Sequence, residues 1–322
     1  MNFKNKIILL TGGTGSFGNK FTEIMLKKYN PKVIRIYSRD ELKQWEMEKK
    51  FNYDKRLRFF IGDIRDSERL NRAMEGVDIV VHAAALKQVP ACEYNPFEAV
   101  MTNIIGGQNI INAALNKNVE KVIAISTDKA VNPVNLYGAT KMCMEKLFIA
   151  ANHYRGTIHK TKMSCARYGN VVGSRGSVIP VFKKQKETGI LTITDQRMTR
   201  FWLTLEQGVE FVISCIEKME GGEVFVPKIP SMKIMNLAKA IAPECKIEIT
   251  GIRPGEKIHE CLLTEDESRH SLEFKDYFTI LPEGPKWGFK MPKGGKRLPN
   301  EFRYESGTNK WWLSEKELLG MI

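Results

Sequence analysis

Tyr137 and Lys141 are four residues apart, so a helix that carries them presents both on one face. An ammonium beside a phenol lowers its pKa, and the phenolate can then take the proton of an alcohol hydroxyl. Upstream stand Thr127, Asp128 and Lys129, a hydroxyl, a carboxylate and an amine in succession. Together they offer a hydrogen-bond donor, a general acid and a general base. A Tyr-x-x-x-Lys spacing alone is common on helices, and an Asp-Lys pair is usually a solvated turn. The chemistry therefore depends on what the rest of the chain builds around them.

Lys121 to Ser126 is an apolar run that reads as a buried parallel strand. It puts Thr127, Asp128 and Lys129 at a strand's carboxyl end, where open α/β sheets keep their chemistry. The helix carrying Tyr137 and Lys141 continues to about Asn152. Near the start, Lys6 to Leu10 is a short strand, Gly12-x-x-Gly15-x-x-Gly18 a glycine turn, and Asn19 to Tyr29 a helical pattern. In that order the glycines let backbone approach a pyrophosphate, and the helix N-terminus offers free N–H groups. Thr14, Ser16 and Phe17 belong to the same turn. Val33 to Tyr37 is a second strand, and its end decides the cofactor. An acidic residue there would favour NAD. Ser38 and Arg39, with Lys43 one turn on, suit a 2′-phosphate and favour NADP, while Asp40 is the contrary signal.

A third strand, Leu57 to Ile61, leads to Asp63 and Ile64. Asp63 either holds the adenine amine or caps the helix that starts near Ser67. The fourth strand, Asp78 to His82, runs into Ala83, Ala84 and Ala85, small as a flat cofactor requires; Lys87 beyond them is either a surface residue or a reach into the site. A helix from about Pro96 to Asn116 carries Thr102, and its Gly106 and Gly107 imply close packing on the sheet. Strands alternating with helices give an α/β fold with a Rossmann-type doubly wound parallel sheet. A sixth strand, Lys162 to Arg167, ends it.

The second half mixes shorter elements: a helix from Phe182 to Thr188, strands at 191–194, 222–227 and 246–250, and helices at 205–219 and 233–241. It reads as a smaller mixed α/β region interleaved with the first. Expected boundaries are residues 1–172 for the dinucleotide domain, with a return segment at about 200–221, then 173–199 and 222–281 for substrate and 282–322 as a C-terminal extension. From Pro282 to Trp311 the composition suggests a loose segment before a short helix, Ser314 to Leu319.

The 322 residues are 43% hydrophobic and 27% charged, with a formal net charge of +13. The positive charge is scattered without a basic helix or a basic-aromatic ladder, which argues against nucleic acid. The six cysteines show no C-x-x-C and no metal spacing, so no metal site is expected and a reducing, cytoplasmic setting is. No apolar run reaches membrane-spanning length, so no membrane partner is expected.

Gly12-x-x-Gly15-x-x-Gly18, Thr127-Asp128 and Tyr137-x-x-x-Lys141 together resemble the extended short-chain dehydrogenase/reductases that act on nucleotide sugars, over roughly the first 280 residues. Tyr37 to Lys43, Ser126 to Ala130, Arg167 to Ser177, Arg197 to Trp202 and Val226 to Met232 are similar to the inverting UDP-N-acetylglucosamine 4,6-dehydratases. In bacteria those begin pseudaminic acid synthesis for flagellin or surface glycans. The resemblance implies that Tyr137, helped by Lys141, takes the proton of the sugar 4-hydroxyl while NADP+ takes hydride from carbon 4. Thr127 then hydrogen-bonds the 4-ketone, Asp128 is the acid and Lys129 the base of an elimination across carbons 5 and 6, and hydride returns to carbon 6. Retaining dehydratases carry Thr-Asp-Glu where this chain has Thr127-Asp128-Lys129, which suggests inversion at carbon 5. A lysine serves as that base only if burial or a neighbouring cation lowers its pKa, and Lys141 and the oxidised nicotinamide are the candidate cations.

The same resemblance puts Asn170, Val171, Arg175, Ser177 and Val178 around a UDP-sugar, Arg253 and Glu256 on its ribose and diphosphate side, and Lys87 and Thr102 facing cofactor or substrate. It also implies a homo-oligomer, a hexamer or a dimer. Two other readings stay open: a retaining dehydratase or 4-epimerase, of which the epimerase needs no Asp128–Lys129 pair, and a non-enzymatic NADP-sensing protein.

Overall fold

The computed structural model describes residues 2–154, 156, 159–172, 178–283 and 289–321. Six parallel strands alternate with helices: β1 (Ile7–Thr11), β2 (Val33–Ser38), β3 (Leu57–Ile61), β4 (Ile79–His82), β5 (Lys121–Thr127) and β6 (Lys162–Tyr168). They lie in the order 3-2-1-4-5-6 within a ten-stranded sheet, the order of a dinucleotide-binding doubly wound fold. Helices cover both faces, so the strands read as near-continuous apolar runs, with Ile8, Leu9, Leu10, Val80, Val81, Val122 and Ile123 fully buried.

The interposed helices are α1 (Ser16–Ile24), α2 (Glu41–Lys50), α3 (Ser67–Ala73), α4 (Val89–Tyr94), α5 (Pro96–Val100), α6 (Gly106–Asn116) and α7 (Leu136–Tyr154). The helix expected from Pro96 to Asn116 is interrupted by a π-helical turn, Met101–Ile105, which carries Thr102. Such turns re-aim side chains within a helix and recur at functional sites. Gly106 then brings the helix against Ile64.

The sheet takes in more of the second half than the sequence suggests. Val224–Pro227 pairs parallel with β6, and Tyr277–Ile280, Ser271–Glu273 and Lys296–Arg297 extend it as antiparallel neighbours. Strands from the 222–281 span thus finish the large sheet rather than belonging wholly to a separate region. The helix Leu205–Lys218 packs on α1, β5 and β6. A second core, built on Phe182, Leu191, Trp202, Leu237, Leu313 and Leu318, supports the smaller region. The stretch after Pro282 is less loose than its composition implies. Tyr304–Glu305 pairs with Cys261–Leu263, the Leu313 N–H donates to the Ser231 carbonyl at 2.9 Å, and the final helix is Glu315–Met321. Buried Leu298, Tyr304, Leu313 and Leu318 supply the apolar area that docks it. Among the described residues no helix is long and apolar enough to cross a membrane.

Candidate active site

One cavity of about 960 Å³ runs along the carboxyl ends of β1 to β6. At one end Gly12 turns the chain with φ +65°, where a side chain is disfavoured, and a Cβ there would meet the Ala84 backbone at 2.9 Å. Gly15 leads into α1 with no side-chain cap, and Thr14, Ser16 and Phe17 line the cavity beside it. Free N–H groups at a helix start suit a pyrophosphate. Gly18 does not line the cavity; it seats α1 tightly against Gly13.

The end of β2 brings Ser38, Arg39, Asp40 and Lys43 to the cavity wall. Asp40 caps α2 by accepting the Lys43 N–H at 3.0 Å, and its carboxylate also takes the Lys43 ammonium. Arg39 is largely exposed and lies 3.5 Å from Asp63. The Gln44 amide donates to the Ser38 hydroxyl at 3.0 Å. Asp63 is not the cap of α3; Asp66 is, accepting the Arg69 N–H at 2.9 Å. Burial works to raise the Asp63 pKa, but Arg65, donating at 2.7 and 2.9 Å, outweighs it and holds the carboxyl below its usual value. Asp63, Ile64, Ala83, Lys87 and Thr102 all line the cavity.

At the other end β5 delivers Thr127, Asp128 and Lys129, and α7 delivers Tyr137 and Lys141. Gly138 makes the two elements meet: a Cβ there would lie 2.1 Å from the Lys129 carbonyl oxygen. The Thr127 hydroxyl donates to Asp128 Oδ1 at 2.8 Å, and Lys129 Nζ donates to the same oxygen at 3.0 Å. Asp128 is buried, and its Oδ2 has no hydrogen-bond partner.

The electrostatics differ from the sequence expectation. Burial pushes the Tyr137 phenol up to about 12, and the cation that opposes this is Lys129 rather than Lys141. Lys141 is itself brought down to about 8 by burial, and its ammonium donates to Met144 Sδ at 3.1 Å. Burial also favours the neutral amine of Lys129, but the carboxylates of Asp128 and Glu260 outweigh it and hold the ammonium above the usual lysine range. Lys141 is not among the charges that act on Lys129; two carboxylates decide its state in the ligand-free protein. Lys87 moves the other way, lowered by burial and by Lys129.

Asn170, Val171 and Val178 line the cavity. Arg175 and Ser177 lie outside the described residues. Arg253 and Glu256 do not line the cavity, although the Asn135 amide, two residues before Tyr137, donates to the Gly255 carbonyl in their loop at 2.8 Å. Sequence reasoning missed Ser126, Tyr168 and Trp202 as lining residues, and Glu260 as a partner of Lys129. Trp202 lay within a quoted motif, but nothing in its spacing says that its ring reaches the site.

Five buried polar atoms on lining residues have no hydrogen-bond partner: Thr102 Oγ1, Ser126 Oγ, Asp128 Oδ2, Asn170 Oδ1 and Trp202 Nε1. Buried polar groups ordinarily find partners, so a polar ligand fits this cavity. Together with the glycine turn they suit a dinucleotide at one end and a hydroxylated substrate at the other. Among the described residues no group of three or more His, Cys, Asp or Glu side chains could hold a metal ion.

Residues 8–282 match the polysaccharide biosynthesis protein family. The chain is 54% identical to an inverting UDP-N-acetylglucosamine 4,6-dehydratase of Campylobacter jejuni, over 99% of this chain and 98% of that one. It is also 45% identical to a UDP-glucose 4-epimerase of Rickettsia conorii, over 88% and 84%. Among solved structures, Pen from Bacillus thuringiensis superposes with a TM-score of 0.91 at 41% identity, covering 99% of this chain and 98% of that one. DesIV, a dTDP-glucose 4,6-dehydratase from Streptomyces venezuelae, gives 0.69 at 22% identity over 78% and 86%, a likeness of fold alone. The chain belongs to the polysaccharide biosynthesis protein family.

Proposed function

We propose that the protein is an inverting UDP-N-acetylglucosamine 4,6-dehydratase that uses NADP. The observation that carries the reading is the Thr127-Asp128-Lys129 turn set against Tyr137 and Lys141 at the wall of one cavity. An enzyme that only epimerises at carbon 4 needs the Tyr and Lys but not a second acid/base pair. The 54% identity to a relative of that name supports the same reading.

A dinucleotide held by the Gly12 turn supplies hydride acceptance at carbon 4 and hydride return to carbon 6. Tyr137 takes the proton of the 4-hydroxyl, and Lys129 favours its phenolate. Thr127 donates to the 4-keto oxygen. Lys129 takes the carbon 5 proton as the neutral amine, so the ammonium that Asp128 and Glu260 hold must first pass one proton to Asp128, which then protonates the departing 6-hydroxyl. Residues 1–172 with the return segment at about 200–221 hold the dinucleotide, and 173–199 with 222–281 hold the nucleotide sugar, with cavity-lining Asn170, Val171 and Val178 about the UDP. The preference for NADP over NAD rests on Arg39 and Lys43 at the cavity wall, both now paired to carboxylates that a 2′-phosphate would compete with. The product is suited to the first step of pseudaminic acid or surface-glycan synthesis in the cytoplasm. A homo-oligomer is supported by exposed Tyr94 and Phe97 on α4 and α5.

A second reading, 4-epimerase, is favoured by the name of the Rickettsia relative. Incubation with UDP-N-acetylglucosamine in deuterated water, followed by proton NMR, separates the two. A new methyl group at carbon 6, deuterium at carbon 5 and an L-arabino coupling pattern are expected. A methyl group with carbon 5 configuration retained would remove the stereochemical role of Lys129. The 4-epimer without a methyl signal would replace the dehydratase with the epimerase. No change with added NADP+ would leave only cofactor sensing.

A further inference from the structure

Glu260 lies 132 residues along the chain from Asp128, yet both carboxylates face the same ammonium. Only 4% of the Glu260 side chain is exposed. Its carboxylate is 3.6 Å from Lys129 Nζ, 3.7 Å from Arg200 Nε and 3.9 Å from Lys257 Nζ. Its Oε2 makes no hydrogen bond. Burying a carboxylate costs it hydration, and three cations ring this one to offset that loss.

The surroundings fix its place. The Glu260 N–H donates to Ser306 Oγ at 2.9 Å, and the Ser306 N–H returns a bond to the Glu260 carbonyl at 2.8 Å. Lys257 donates to the Val131 carbonyl at 2.5 Å, two residues beyond Lys129. Arg200 donates to the Thr199, Ile258 and Lys257 carbonyls. The segment carrying Glu260 is thereby stapled to the turn carrying Lys129. Lys257 donates to backbone and Arg200 to backbone and to Met198 Sδ, whereas Lys129 is shared between Asp128 at 3.0 Å and Glu260, with 27% of its side chain exposed.

We infer that Glu260 is a positioning residue for Lys129: it holds the amine at the cavity wall opposite Asp128 and sets how readily that amine releases its proton. The inference rests on the proposed role of Lys129 as base. In that step the carbon 5–hydrogen bond breaks, its electron pair passes into the enolate of the 4-ketone, and the proton becomes the third hydrogen of the Lys129 ammonium. A carboxylate that stabilises the ammonium strengthens the base and lowers the fraction that is free to act. The groups facing Lys129 are Asp128 on its own turn, Tyr137 on α7, Lys87 beyond β4, Arg200 on the strand Thr199–Leu203, and Lys257 with Glu260. Replacing Glu260 leaves Asp128 as the one carboxylate among them, so the ammonium loses support and the amine frees at lower pH.

The test is the proton affinity of Lys129 in the ligand-free protein, read by competitive acetylation with acetic anhydride and mass spectrometry from pH 8 to 11, with exposed Lys246 as reference. Accessibility scales every point alike, whereas proton affinity moves the curve along the pH axis. Glu260→Gln is expected to shift the Lys129 curve down by about one pH unit, about tenfold faster labelling at pH 9. Glu260→Asp draws the carboxylate back and is expected to give about threefold; it carries the test if the glutamine variant does not fold. Curves that coincide with the wild type would overturn the inference. In the enzyme assay, deuterium entry at carbon 5 in Glu260→Gln should rise at lower pH, while cofactor reduction keeps its own pH dependence. A uniform loss with an unmoved profile would make Glu260 a packing residue only. If the wild type itself exchanges no carbon 5 proton, the dehydratase reading fails, and the acetylation curves still decide Glu260.

Discussion

Arg167 stands on β6 one residue before Tyr168, which ends the strand and lines the cavity, and all five of its N–H groups have acceptors. Nε and one Nη2 hydrogen go to Glu145 at 3.0 and 2.6 Å. The remaining three go to Glu267 at 3.0 and 3.1 Å and to the Leu262 carbonyl at 2.9 Å. Arg167 and Glu145 are each 4% exposed and Glu267 is 25% exposed, and Glu145 stands one turn after Lys141 on α7. Arg167→Met keeps the volume but leaves two carboxylates facing each other without their cation. Breaking a buried pair this way costs about 3–5 kcal/mol, and the partial exposure of Glu267 puts the expectation at about 3. With a urea m-value of about 3 kcal/mol per M for a chain this long, the midpoint should fall by about 1 M at pH 7. The pH dependence has a definite sign. In the wild type, burial works to raise Glu267 but Arg167 holds its pKa below the unfolded value, a contribution lost as pH falls. In the variant burial acts on Glu267 without Arg167 to oppose it, and a carboxylate raised in this way destabilises as pH rises. The gap between the two proteins should therefore narrow from pH 7 toward pH 5. Adding Glu145→Gln to Arg167→Met should recover about 1–2 kcal/mol at pH 7. A midpoint loss below about 0.3 M at pH 7, or one equally large at pH 5, would refute the account of Arg167 as the cation that makes this network tolerable.

Lys141 offers a separation of stability from activity. Burial lowers it from 10.5 to about 8, which corresponds to about 3 kcal/mol against the folded ammonium. That penalty is fully present below pH 8 and relieved as pH rises toward 10.5, so Lys141→Met should stabilise the ligand-free protein at pH 7 by up to about 3 kcal/mol, less at pH 10, while turnover falls at least about a hundredfold. Gly138→Ala drives a methyl into the Lys129 carbonyl oxygen; it should cost about 2 kcal/mol or more in thermal melts and depress carbon 5 exchange more than cofactor binding. Arg39→Ala should weaken NADP binding by about tenfold and leave NAD binding nearly unchanged in fluorescence titrations; an equal loss for both would assign Arg39 to structure.

What could be read from the sequence is what local spacing encodes. The alternation of apolar strands with helices, the glycine turn at Gly12, and the Tyr137–Lys141 face depend on residues within a few positions of one another, and each took its expected place. The charge state of the site did not follow, because it depends on which segments the fold brings together. As a base, Lys129 calls for burial or a neighbouring cation to lower its pKa. Instead the fold sets it between Asp128, its neighbour in sequence, and Glu260, which reaches it through a segment stapled by Lys257 to Val131. Asp63 failed as a cap for a more local reason: Asp66 stands three residues before Arg69 and reaches its N–H, which leaves Asp63 free to bind Arg65. The tail misled because its glycines, prolines and lysines are visible one by one, while the four apolar residues that dock it are spread from Leu298 to Leu318. A lysine surrounded this way is tuned by residues from three parts of the chain at once. A change at Glu260, far from Lys129 in sequence, should therefore alter the chemistry more than a change at many positions beside it.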